Sequence, residues 1–142
     1  MKKKLVSTVE ASKDKIEEAV SRLKRFKFVH SIILFGSRAK GIERTESDVD
    51  LCIIPKSDAE VSLKERIALN NAVSESIDVS LLNELPVYIR KRVFLEGKVL
   101  YTEYPYYILT LAKENDLEYS RYQRMKKDYH KGVMKRVRLR LG

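Results

Sequence analysis

Apolar residues recur along the chain with helical spacing in some stretches and strand spacing in others. Over residues 12–26, Ile16, Val20, Leu23 and Phe26 fall three or four apart behind Ser12, a residue suited to capping, so the spacing predicts a helix. The run Phe28 to Phe35 is almost wholly β-favouring and ends at Gly36-Ser37, which predicts a strand buried on at least one face. Residues 37–46 are polar around Gly41 and predict a short helix and a loop. Asp48-Val49-Asp50-Leu51-Cys52-Ile53-Ile54 predicts a second strand, stopped by Pro55. Next come a helix over 60–74, a third strand over 77–82, a short helix opened by Pro86 and closed by Gly97, and a short edge strand over 99–102. From Pro105 onward the pattern is helical, in one or two helices, and its last apolar row is Tyr122, Met125, Tyr129, Val133, Val137 and Leu141. The expected fold class is α/β (α+β): a small mixed sheet of about four strands flanked by helices. Residues 1–104 are expected to form the domain and 105–142 a C-terminal helical extension.

Composition narrows this picture. The 142 residues are 44% apolar and 35% charged, enough apolar material for one core and too regular a mixture for a disordered chain. No apolar run approaches the roughly 20 residues of a membrane span. The start Met1-Lys2-Lys3-Lys4-Leu5-Val6 is basic but lacks the apolar region of a signal peptide, so none is expected. Cys52, the only cysteine, excludes an internal disulfide and a Cys-rich zinc site, while His30 and His130 leave little for a His-based metal site. A reducing cytoplasm is the expected setting.

The net charge of +9 is uneven. Residues 121–142 hold nine Lys or Arg and one acid, Asp128, whereas the other 120 residues hold 20 basic and 19 acidic groups. A basic tail on a neutral body points to an anionic partner, or simply to a solvated helix face.

The chemistry is concentrated between Gly36 and Asp50. On a strand, positions i and i+2 share a face, so Asp48 and Asp50 lie together while Val49, Leu51 and Ile53 turn to the core. Two like charges side by side are costly unless a cation sits between them. Oxygen-only ligands at this spacing suit Mg²⁺ or Mn²⁺, hard ions that also take phosphate oxygens. Asp78 is a third carboxylate inside an apolar strand. If that strand lies beside the second, the three form a cluster able to hold two metals roughly 3.5–4 Å apart. Gly36-Ser37 sits where a buried strand meets a short helix. Glycine there permits close backbone approach, and a helix start offers N–H groups to phosphates. Ser37 adds a hydroxyl, and Arg38 and Lys40 bring positive charge. Cys52 would share the carboxylate face near the site's rim.

Gly36-Ser37, ten residues, then Asp48-x-Asp50 resembles the signature of the DNA polymerase β-like nucleotidyltransferase superfamily. The short chain and the order of its elements resemble the minimal (MNT) branch, and within it the MntA-type antitoxins of HEPN/MNT toxin–antitoxin pairs. The resemblance covers residues 12–104 best. It implies nucleotidyl transfer from a nucleoside triphosphate with two Mg²⁺ ions, Mn²⁺ being the alternative. By position it implies that Gly36 and Ser37, with Arg38 beside them, bind the triphosphate, that Asp48 and Asp50 bind both metals, and that Asp78 holds the metal that activates the acceptor hydroxyl. It further implies AMP transfer from ATP to a tyrosine of a partner HEPN ribonuclease toxin, which silences the toxin.

Other readings stay open at this level. The fold can neutralise a toxin by docking alone, or act on a small molecule, although 142 residues leave little room for a further substrate domain. Ser37 can be a helix cap, Arg38, Lys40 and Arg44 solvated cations, and Asp78 the partner of a surface Lys or Arg. The basic tail is expected to dock to the protein partner, with nucleic acid as the second choice, and no membrane partner is expected.

Overall fold

A computed structural model of the chain describes residues 2–36 and 49–141, with side chains in the first helix described from Lys13 onward. Helix α1 runs Lys2–Leu23, β1 Val29–Phe35, β2 Val49–Pro55, α2 Leu63–Asn71, β3 Ile77–Leu81, α3 Val87–Glu96, β4 Lys98–Thr102 and α4 Pro105–Leu141. A single 3₁₀ turn, Leu82–Glu84, joins β3 to α3. The order of elements matches the expectation from periodicity. The short helix and loop expected over 37–46 lie outside the described residues.

The strands form one sheet in the order β3-β2-β1-β4. β1 pairs antiparallel with both β2 and β4, and β2 pairs parallel with β3, so the sheet is mixed. Helix α1 starts at Lys2 instead of at a Ser12 cap. Residues 2–11 contain no Gly or Pro, so nothing in the local sequence stops the helix. Helix α2 starts where Ser62 and Glu65 exchange hydrogen bonds as a capping box, three residues after the first position the spacing indicated. The chain from Pro105 onward is one continuous helix of 37 residues.

The sheet is covered on both faces. On one, Ile32, Leu34, Val49, Leu51, Ile53, Val79 and Leu81 pack with Ala19 and Leu23 of α1 and Leu69 of α2. On the other, Ile33, Cys52 and Ile54 pack with Val93 of α3, backed by Tyr107, Ile108 and Leu111 of α4. Each fully buried aliphatic side chain here contributes about 1.5–3 kcal/mol. Gly97 closes α3 with an ordinary extended backbone (φ −69°). Glycine is required there by space: a Cβ would overlap the Val93 carbonyl oxygen and come within 2.5 Å of Ile33 Cγ2.

The second core corrects one expectation. Cys52 shares the Asp50 face, but it is fully buried under α3 and α4 instead of standing at the rim of the site. Burial, reinforced by the negative Glu84, pushes its thiol up to about 12. The folded thiol therefore keeps its proton at pH values where an unfolded one has lost it, so this group's contribution to stability falls as pH rises from about 9 toward 12. At pH 8 the native protein is expected to resist a thiol-reactive disulfide reagent and to react fully once unfolded in guanidinium. Rapid labelling of the native protein would contradict that burial.

Candidate active site

β2 and β3 run parallel, with Asp50 directly beside Asp78. Strand neighbours in register present their side chains to the same face, so the sheet brings together two carboxylates that are 28 positions apart in sequence. Asp50 is half-buried and Asp78 exposed. They sit at the end of the sheet beside Phe35 and Leu85, at the margin of the second core. The antiparallel β1 delivers its last residue, Phe35, opposite Asp50. Gly36 follows with φ +81°, a left-handed conformation that side chains disfavour. A Cβ on Gly36 would lie 2.5 Å from Asp50 Oδ2. The glycine thus supplies both the turn and the room for the carboxylate.

The two carboxylates line an open cleft of about 800 Å³ together with Phe35, Arg66, Asn70 and Leu85. Ser37, Arg38 and Asp48 lie outside the described residues. Of the predicted site residues, the structure brings together Gly36, Asp50 and Asp78. Among the described residues, no cluster of three or more His, Cys, Asp or Glu side chains is positioned to hold a metal ion. The donor set at Asp50 and Asp78 is oxygen only, which fits a hard divalent cation, and the glycine turn leaves that carboxylate approachable.

Arg66, which sequence reasoning missed, braces this wall. From α2 its Nη2 donates to the Val79 carbonyl of β3 at 2.8 Å, and its Nε donates to Glu84 Oε1 at 2.5 Å. Glu84 Oε1 in turn accepts from the Leu81 N–H at 3.3 Å, and the Ile77 N–H donates to the Ser74 carbonyl. These bonds occupy outward-facing backbone groups of β3, an edge strand, and hold it where Asp78 meets Asp50. The capping motif that starts α2 sets Arg66 one turn in, but no local pattern links it to Glu84, 18 residues on. A second open cavity, about 660 Å³ and lined by His30, Lys56, Tyr104 and Tyr107, lies at the other end of the sheet, away from the carboxylates.

A small mixed sheet with carboxylates on adjacent strands and a glycine turn beside one of them fits the class of nucleotidyl-transfer folds. The chain belongs to the polymerase beta nucleotidyltransferase family, whose pattern matches residues 15–105. It is also similar to a Methanocaldococcus jannaschii protein provisionally named a protein adenylyltransferase, with 27% identity over 73 residues. That match takes in 51% of this chain and 56% of the relative, so the chain spans little more than half of the relative's length. Among solved structures, a chain of a toxin–antitoxin complex with AMP-PNP superposes with a TM-score of 0.66 at 20% identity, over 85% of this chain and 97% of its own. A chain of the complex between an MNT antitoxin and the tri-AMPylated Shewanella oneidensis HEPN toxin superposes with a TM-score of 0.61 at 17% identity, over 84% of this chain and 98% of its own. Likeness at such identities shows a shared fold. Among the described residues no helix is long and apolar enough to cross a membrane.

Proposed function

We propose that this protein transfers AMP from ATP to a hydroxyl, tyrosine being the first choice, of a HEPN-type ribonuclease toxin, and so acts as its antitoxin. The observation that carries the reading is the registered pair Asp50 and Asp78 beside the left-handed turn at Gly36. The family and the toxin–antitoxin neighbours support it. In the reaction the acceptor hydroxyl gives up its proton, its oxygen bonds to the α-phosphorus of ATP, and pyrophosphate leaves. Asp50 and Asp78, with Asp48, would hold Mg²⁺, which when bound offsets the triphosphate charge and makes the acceptor hydroxyl more acidic. Gly36 lets the triphosphate approach the backbone, with Ser37 and Arg38 as donors to its oxygens. Asp78, on the edge strand and exposed, would hold the metal that activates the acceptor hydroxyl. The exposed apolar row of α4 beyond Tyr122 is surface for the protein partner.

The deciding experiment is intact mass spectrometry of the toxin after incubation with this protein, ATP and Mg²⁺. The expected result is the addition of one or more AMP units, with loss of ribonuclease activity. Neutralisation with no change in mass would instead establish antitoxin action by docking alone.

The same reading makes a prediction about nucleotide binding. No nucleobase-specific motif is present, so affinity is expected to come from the triphosphate and the metal. ATP and GTP should bind within about fivefold of each other in Mg²⁺, and ATP affinity should fall by more than tenfold in excess chelator, a loss of at least about 1.4 kcal/mol. Tight chelator-resistant ATP binding, measured by calorimetry, would count against this site.

A further inference from the structure

Helix α4 is about 55 Å long at 1.5 Å per residue, far longer than the sheet it packs on. Its first half is tied to α3. Asn115 Nδ2 donates to the Val87 carbonyl, Lys91 and Arg90 pair with Asp116 and Glu118, and Tyr122 stacks near Tyr88. Beyond Tyr122 the side chains are almost all exposed. At about 100° per residue, six of the nine cations in residues 121–142 sort to one face, while Lys126, Arg136 and Arg140 fall on the side of the apolar row. Arg121, Arg124, Lys127, Lys131, Lys135 and Arg138, all exposed, fall within an arc of about 120° and run about 26 Å along the helix. The apolar row through Tyr129, Val133 and Val137 centres on the opposite face. Helical spacing in the sequence already sets most cations apart from the apolar row; the structure adds that the helix is unbroken and runs past its last contact with α3.

Each cation in the stripe has its neighbour three or four positions away, the spacing at which like charges on a helix destabilise it. A merely solvated face relieves this with acids at the same spacing. Here only Asp128 lies in the arc, and among the described residues no ion pair joins any of the six cations. A second copy of the chain would bring the same positive stripe and be repelled. A regular line of positive charge is complementary to a regular line of negative charge, and the phosphates of a nucleic acid supply one, whereas a folded protein's carboxylates are scattered.

We propose that the stripe Arg121, Arg124, Lys127, Lys131, Lys135 and Arg138 is a sequence-independent binding surface for the phosphate backbone of a nucleic acid. It lies on the helix half that projects from the body, so it is independent of the transfer reaction proposed above.

The test uses the full-length protein and a fluorescein-labelled, mixed-sequence 20-nucleotide RNA, with anisotropy measured from 50 to 200 mM KCl. Six phosphate contacts at about 0.7 each give a slope of log K against log salt near −4, or roughly a 250-fold loss of affinity across that range. The triple variant K131E/K135E/R138E is expected to lower affinity at 50 mM salt at least 30-fold and to flatten the slope by about 2. The neutral triple variant K131Q/K135Q/R138Q should flatten it equally. This second variant keeps the comparison valid should the acidic one disturb the helix, and circular dichroism reports that directly. V133S, on the opposite face, should leave RNA affinity within twofold. No binding at 50 mM salt, or a slope unchanged in both triple variants, overturns the proposal. So does polyglutamate competing with RNA as well as unlabelled RNA does, which would identify the surface as one for acidic protein.

Discussion

D50N and D78N are each expected to lower AMP transfer by about 10³-fold or more while leaving the fold intact. Such a loss corresponds to about 4 kcal/mol of transition-state stabilisation, the scale expected when a carboxylate that holds a catalytic cation becomes a neutral amide. The fold should tolerate the change because Asn keeps the shape of Asp and because one of two adjacent like charges is removed. Asp78 is exposed and lies directly beside Asp50 across parallel strands, so the melting temperature without metal should stay the same or rise slightly in D78N. Two readouts separate the metal site from a general loss of structure. Single-turnover transfer, followed by intact mass, should collapse. In parallel, Mg²⁺ with ATP should raise the melting temperature of the wild type and should no longer do so for either variant. Activity within tenfold of wild type in either variant would remove these carboxylates from the site.

Replacing Gly36 should cost both stability and activity. In G36A, the left-handed backbone (φ +81°) is expected to cost about 1–2 kcal/mol of stability. The new methyl would lie 2.5 Å from Asp50 Oδ2, so the carboxylate must move aside. A side-chain end moves cheaply in stability, but displacing a catalytic group by about 1 Å costs on the order of 10²-fold in rate. The expected outcome is a protein that melts only a few degrees lower yet transfers AMP about 100 times more slowly. G36V, with a branched side chain at the same position, should lose still more of both. If G36A transfers at a rate within threefold of wild type, Gly36 serves only the turn and not the approach of substrate.

The outline of the site was legible in the sequence because its parts are local. A β-favouring run ending in Gly36, and an alternating strand that carries Asp50 on one face and Leu51 and Ile53 on the other, are patterns of neighbouring residues. Periodicity records local geometry directly. The presence and type of the elements followed from the same logic, as did the four-strand sheet. Boundaries were less legible. Helix α1 reaches back to Lys2 because no residue before Ser12 opposes it. Family membership rests on the same region, residues 15–105.

Tertiary structure decided what depends on residues distant in the chain. The pairing of Asp78 with Asp50 required β3 to lie parallel to β2 and in that register, a choice that no local pattern of 77–82 encodes. The burial of Cys52 depended on α4, which begins more than fifty residues later and lays Tyr107, Ile108 and Leu111 against the second core. Alternation along β2 alone made that face look free. Arg66 gained its place on the cleft wall from Val79 and Glu84, 13 and 18 residues away. The basic tail changed meaning for the same reason. Its composition announced an anionic partner and its helical spacing set six cations opposite the apolar row, but only the fold shows that this helix is unbroken and extends beyond its last contact with α3, so that the stripe stands clear of the body. Local spacing dictates which face of an element a residue occupies, and the packing of elements far apart in the chain dictates what that face meets.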